Sequence, residues 1–189
     1  AALAPNGKIY CAPRNATQVL EIDPATKTIA LIGSVYSSTD KWQGAALAPN
    51  GKIYCAPLSG TRVLEVDPVT KTTTLIGSVY NGIHKWHSAI TLAPNGKIYC
   101  APYDGTQVLE IDPVTRTTTL IGSTYSSGGA KWVGAALAPN GKIYCAPAGA
   151  TQVLEIDPIT KTTTLIGSVY SGSWGGAALA PNGKIYCAP

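Results

Sequence analysis

The chain contains no methionine, only two histidines, and charged side chains at just 13% of its 189 residues. So little charge, set against 45% hydrophobic content, excludes a disordered segment and provides enough apolar material for a folded core. No run of about 18 apolar residues is present, so no stretch can cross a membrane as a helix. The first residues, Ala1-Ala2-Leu3, lie inside a repeat and lack the form of a signal peptide, and the absence of Met even at position 1 marks a processed, excised or engineered piece. No Lys/Arg run and no basic helix stand behind the net charge of +4, which sets aside nucleic-acid binding and membrane insertion. Cys-x-x-Cys and repeated His are missing, which argues against zinc. Without a Gly-rich phosphate loop, nucleotide use has no support, and no cofactor is expected. Nor does any helical period of apolar residues occur.

What the chain has instead is repetition. Leu-Ala-Pro-Asn-Gly-Lys-Ile-Tyr-Cys-Ala-Pro occurs five times, beginning at Leu3, Leu47, Leu92, Leu137 and Leu179, in steps of 44, 45, 45 and 42 residues. One supersecondary unit is copied along the chain. Within it, Ala1 to Ala4 reads as strand A, Pro5-Asn6-Gly7 as a tight turn, and Lys8 to Ala12 as strand B. Val19 to Ile22 reads as strand C, Asp23-Pro24-Ala25-Thr26 as the next turn, and Thr28 to Ile32 as strand D, closed by Gly33.

Cys11, Cys55, Cys100, Cys145 and Cys187 occupy one position of the unit. Their odd count, and the distance between equivalent positions of neighbouring units, favour small buried hydrophobes over disulfides.

Four antiparallel strands in about 45 residues, repeated without helices, have the pattern of a β-propeller blade. The run Gly44-Ala45-Ala46-Leu47-Ala48-Pro49-Asn50-Gly51-Lys52-Ile53-Tyr54, followed by Val63-Leu64-Glu65-Val66-Asp67-Pro68-Val69-Thr70, resembles the YVTN and NHL repeats and, more distantly, WD repeats. Trp42 ahead of Pro49-Asn50-Gly51 is also similar to the blades of tachylectin-type lectins. The first resemblance implies the fold alone, and the second implies binding of acetylated amino sugars between blades. The expected molecule is one all-β propeller domain over 1–189, with repeats at about 1–44, 45–88, 89–134 and 135–176 and a half-repeat at 177–189.

All length variation between repeats falls in the D-to-A connection, while the B-to-C connection keeps its length and changes its residues. These two connections share a face, so one face is variable and the other constant. The constant face carries Lys8, Lys52, Lys97, Lys142 and Lys184 in the A–B turns and Lys27, Lys71, Arg116 and Lys161 in the C–D turns, read as solvated turn residues offset by nearby Asp.

The variable face carries the candidate binding residues Tyr36, Trp42, Tyr80, Trp86, Tyr125, Trp132, Tyr170 and Trp174. An exposed Trp or Tyr beside small polar groups suits a sugar ring; the alternative is that each Trp plugs a junction between blades. Catalysis has little to use. His84 and His87 flank one Trp in one loop, and Glu21, Glu65, Glu110 and Glu155 are explained by a repeated bond to Lys, Thr or Tyr between strands.

Asn15-Ala16-Thr17 is a lone glycosylation sequon, and an extracellular or cell-surface location is favoured. Residues 1–13 and 177–189 are the same string, giving five A–B halves but four C–D halves. A compact closed ring of four to five blades is expected, with exchange of the terminal half-blades between molecules, or the start of a fifth blade of a longer array, as alternatives. In function the chain reads as a non-enzymatic structural or protein-binding scaffold. A multivalent lectin is the alternative, and a propeller-type enzyme stands behind both.

Overall fold

A computed structural model describes all 189 residues. It contains strands and turns and no helix. Three local devices, repeated in each unit, account for the strands.

The Asn-Gly turn joins A to B: Gly7 sits at φ +77°, its N–H donates to the Ala4 carbonyl at 3.0 Å, and the Asn6 side chain accepts from the Lys8 N–H at 3.1 Å. The Asp-Pro turn joins C to D, where Asp23 Oδ1 accepts from the Ala25 and Thr26 N–H groups at 3.0 and 3.2 Å. Lys27, Lys71, Arg116 and Lys161 close that turn in the left-handed region, at φ 57° to 58°. Between the turns, Val, Ile, Leu and Thr supply strand propensity on both sides of the sheet.

The first blade comprises β1 (Ala2–Leu3), β2 (Ile9–Cys11), β3 (Val19–Asp23) and β4 (Thr28–Ile32). The second comprises β5 (Ala46–Leu47), β6 (Ile53–Cys55), β7 (Val63–Asp67) and β8 (Thr72–Ile76). The third holds β9 (Trp86–Leu92), β10 (Ile98–Pro102), β11 (Val108–Asp112) and β12 (Thr117–Ile121), and the fourth β13 (Trp132–Leu137), β14 (Ile143–Pro147), β15 (Val153–Asp157) and β16 (Thr162–Ile166). Each is a four-stranded antiparallel sheet in sequence order, and β17 (Gly175–Leu179) pairs only with β18 (Ile185–Ala188). In the third and fourth blades strand A starts at the Trp itself, reaching past register irregularities at Cys100/Pro102 and Trp132/Gly134.

The core lies between blades. One face of each sheet packs forward and the other backward, so Tyr10, Val19 and Ile32 of the first blade meet Ile53, Cys55, Leu64 and Val66 of the second. The same pattern joins the second to the third and the third to the fourth. Sheets covered on both faces need apolar residues on both, which is why strands B and C read as nearly continuous apolar runs broken by one Glu.

The architecture is therefore that of propeller blades, and the sheets do not close into a ring. The compact closed ring expected from the sequence is corrected here: β17–β18 packs on β13 and stays a half-blade, with no strand C beside β18. The cysteines are corrected in part for the same reason. Cys55, Cys100 and Cys145 are buried, whereas Cys11 on the leading face and Cys187 on the half-blade are only half-buried, and all five are free thiols.

Candidate functional site

The D-to-A and B-to-C connections emerge together, linked by backbone bonds such as Tyr36 N–H to the Thr17 carbonyl and Ser59 N–H to the Asp40 carbonyl, both at 2.8 Å. At each of the three complete junctions the same aromatic arrangement recurs. Tyr36 meets Trp42 edge-on at 4.8 Å, Tyr80 meets Trp86 at 5.1 Å, and Tyr125 meets Trp132 at 4.9 Å.

The three Trp side chains are 1–3% exposed. Each indole N–H donates to a backbone carbonyl of its own blade: Trp42 to Arg62, Trp86 to Gln107 and Trp132 to Gln152, at 2.8 to 3.1 Å. The Tyr hydroxyls reach across to the next blade, bonding Thr73, Thr118 and Thr163 at 2.8 to 3.0 Å. The Thr73, Thr118 and Thr163 hydroxyls also accept from the Ser34, Ser78 and Ser123 N–H groups, so the middle Thr of each of these strands D ties the preceding blade's loop to it. Tyr170 and Trp174 lie 6.4 Å apart, with Tyr170 exposed and Trp174 half-buried, because no complete blade follows them.

Before each of the three buried Trp residues stands a buried Lys whose partners are carbonyls. Lys85 Nζ donates to Gly82 at 2.6 Å and Leu58 at 3.3 Å, and Lys131 Nζ to Ser126 and Gly128 at 2.8 and 2.9 Å. Lys41 donates to Arg14 and Ser38 in the same way. Burial without a carboxylate pushes Lys85 down to about 8, and lowers Lys41 and Lys131 as well. Beside these groups, between neighbouring blades, open three clefts of about 520, 560 and 270 Å³. Tyr80, Trp86, Lys85, Asp104 and Gln107 help line the largest.

The chemistry missed from the sequence lies where the repeats differ. The residue before each Lys is Asp40, His84 or Ala130, all at φ 48° to 50°, and the second B-to-C residue is Asn15, Ser59, Asp104 or Gly149. Folding strings some of these across three blades: Arg14 Nε to Asp40 at 2.6 Å, Asp40 to His84 Nε2 at 3.9 Å, and His84 Nδ1 to Asp104 at 3.8 Å. The Arg14 guanidinium holds the Asp40 carboxyl below its usual range. Comparing the repeats position by position was the available signal, since the changes of charge concentrate in these loops.

The other histidine, His87, stacks on Tyr103 at 4.9 Å, and burial lowers its pKa. Its Nδ1 lies 3.0 Å from Ser88 Oγ, but that hydroxyl donates to the Val133 carbonyl at 2.8 Å. The hydroxyl proton is thus directed away from the imidazole, which is not the arrangement of a nucleophile and its base. The sequon residue Asn15 is exposed, with its side-chain carbonyl accepting from the Asp40 N–H at 2.8 Å.

On the opposite face the turn cations other than Lys27 and Lys184 are paired, four of them with the nearby Asp expected from the sequence and all of them with a strand C Glu. Lys8 meets Glu21 at 2.8 Å and Asp23 at 3.4 Å, and Tyr10 donates to Glu21 at 2.9 Å. The cation of the next C–D turn then joins: Lys71 at Glu21 at 3.3 Å, Arg116 at Glu65 at 3.2 Å, Lys161 at Glu110 at 3.0 Å. Glu21, Glu65 and Glu110 are buried. The Lys8 bond outweighs burial and keeps Glu21 below the ordinary range.

No protein-family model matches the chain, and no curated protein is similar to it in sequence. Solved structures are similar in fold. Virginiamycin B lyase from Staphylococcus aureus, in a catalytically inactive form with quinupristin, superposes with a TM-score of 0.77 at 13% identity, covering 100% of this chain and 68% of that one. Hydrazine synthase from Kuenenia stuttgartiensis gives 0.73 at 20% identity over 97% of this chain and 53% of that one. The extracellular domain of a one-component system protein from B. thetaiotaomicron gives 0.69 at 9% identity, covering 96% of this chain and 24% of that one. At such identities the likeness establishes the fold alone: the chain is an open arc of a β-propeller.

Proposed function

We propose that the chain is a non-enzymatic propeller scaffold that holds variable loops on one face for a protein partner. One observation carries this reading. At every complete junction the aromatic and charged groups a ligand would need are engaged in holding blades together: Trp86 and Lys85 with backbone carbonyls, Tyr80 with Thr118, Glu65 with Lys52 and Arg116. The side chains left to vary are those at the loop surface, such as Arg14, Asp40, His84 and Asp104.

A second reading, as a lectin, is favoured by the clefts of about 520 and 560 Å³, whose walls combine Tyr and Trp with Ser, Thr and Asp. Trp132→Ala separates the two. On the scaffold reading it destabilises the protein by about 3 to 5 kcal/mol, measured by denaturant unfolding, and no saccharide alters Trp fluorescence in the parent. A stable Trp132→Ala protein that no longer bound a glycan bound by the parent would replace the scaffold with the lectin.

A further inference from the structure

The two ends of the arc carry the separated halves of one junction. At the trailing end, β17–β18 covers only part of the fourth blade, and beside it lies a groove of about 520 Å³ lined by Tyr144, Val153, Ile185 and Cys187 among others. At the first complete junction the corresponding residues, Tyr10, Val19, Ile53 and Cys55, share one core with Leu64 and Val66 of strand C. The groove therefore lies where a strand C packs in the other junctions.

At the leading end, the register Ile22↔Ile29 and Leu20↔Leu31 puts four apolar residues on a face with no blade before it, where Ile29 is 73% and Leu31 58% exposed. What fits the open edge of β18 is also on display. Residues 177–189 repeat residues 1–13 letter for letter, and in the first blade that string pairs with β3 through Ile9↔Ile22, Tyr10↔Glu21 and Cys11↔Leu20. Tyr10 there is buried, while its counterpart Tyr186 is 57% exposed.

The charges divide in the same way. Glu21, Glu65 and Glu110 each bind a cation from their own blade and one from the next, whereas Glu155 binds only Lys142. Its side chain is 17% exposed, against 3–4% for the others. Lys27 and Lys184, the two turn cations of this face with no carboxylate, lie at the leading and trailing ends.

We propose that a second copy of this chain completes the junction: residues 177–189 of one molecule take the place of residues 1–13 on β3 of the next. Lys27 of the second copy then meets Glu155, and Lys184 meets Glu21 of the second copy. Because the exchanged strings are identical, the strand pairing lost equals the strand pairing formed. The net gain is the apolar groove and the leading face removed from water, plus the Lys27–Glu155 ion pair, since Lys184 on Glu21 only replaces Lys8 there. One element differs from the other junctions: Tyr170 faces Ile29 where its counterparts face Thr, so that contact is apolar.

A longer array would supply the same complement within one chain. In the 189-residue chain β18 does not pair with β3, and the first blade shares its core with the second only, so the complement within reach belongs to another molecule.

The test uses the full chain in sedimentation velocity over a dilution series, together with a Cys11→Ser/Leu20→Cys variant under mild oxidation. The parent's mass should rise above that of one chain with concentration, Lys27→Glu should weaken association about tenfold, and the thiol introduced at position 20 should link to Cys187 between molecules. Three results would overturn the proposal: a parent that stays a single chain at every concentration, an unchanged affinity in Lys27→Glu, or a link from position 20 to Cys187 within one chain, which would mean that the hairpin closes its own ring.

Discussion

Cys11 and Cys55 stand at the same place in identical strings and differ only in what precedes them. Cys55 packs between the first and second blades, and burial pushes its thiol up to about 12. Cys100 and Cys145 are raised by the same cause. Cys11 has no blade ahead of it, and Cys187 sits on a strand with an open edge. A thiol reagent needs both access and thiolate, so two rates are expected in the native state. Peptide mapping after labelling should find Cys11 and Cys187 modified first and the three buried cysteines only on unfolding. Equal labelling of all five would mean that the junctions open freely and that burial does not govern reactivity here. The sequence alone made the five equivalent; the distinction comes from position in the arc.

At the scale of the element, the blade was legible wherever the determinant is local. Asn6-Gly7 and Asp23-Pro24 act within four residues of themselves, and the strands they join came out where the turns placed them. The partner of Glu in strand C was legible only in kind. Lys8 lies 13 residues from Glu21, but Lys71 lies 50 away and belongs to the next blade, a pairing set by the stacking of whole sheets. The hydroxyl of Thr73 serving Tyr36, and His84 between Asp40 and Asp104, escaped for the same reason.

Glu110 shows what the repeated network contributes. Burial opposes its ionisation, but Lys97 at 2.9 Å, Lys161 at 3.0 Å and the Tyr99 hydroxyl at 2.9 Å prevail and hold it below the usual carboxylate range. Glu21 and Glu155 are lowered too. A carboxyl with a lower pKa in the folded state takes up protons less readily than in the unfolded chain. Its stabilisation is present above the unfolded value of about 4.3 and is lost as pH falls through the folded one. Denaturant midpoints should therefore hold steady near neutrality and decline below roughly pH 4. Glu110→Gln should lower stability by about 2 to 3 kcal/mol at neutral pH, since Lys97 and Lys161 lose their shared partner, and should flatten the acid decline. A variant as stable as the parent, with the same acid profile, would show that the pair contributes nothing net.

For the whole molecule, an open arc has no closing contact, so each blade is held only by its neighbours. The second and third blades are covered on both faces, and their strand C residues Leu64, Val66, Leu109 and Ile111 are all buried. The first blade is covered on one face, and β17–β18 touches only the fourth blade and has exposed residues along both strands. Opening free energy should therefore fall from the middle of the arc to its ends, most steeply toward the C-terminus. Native-state amide exchange would read this directly, with β7 and β11 the slowest, β3 intermediate and β18 the fastest. Self-association as proposed adds a sharper expectation: raising protein concentration should slow exchange in β18 and β3 while leaving β7 and β11 unchanged, because only the ends gain a neighbour. Uniform protection along the chain, independent of concentration, would require the arc to behave as one cooperative unit, against a structure in which nothing connects its first blade to its last.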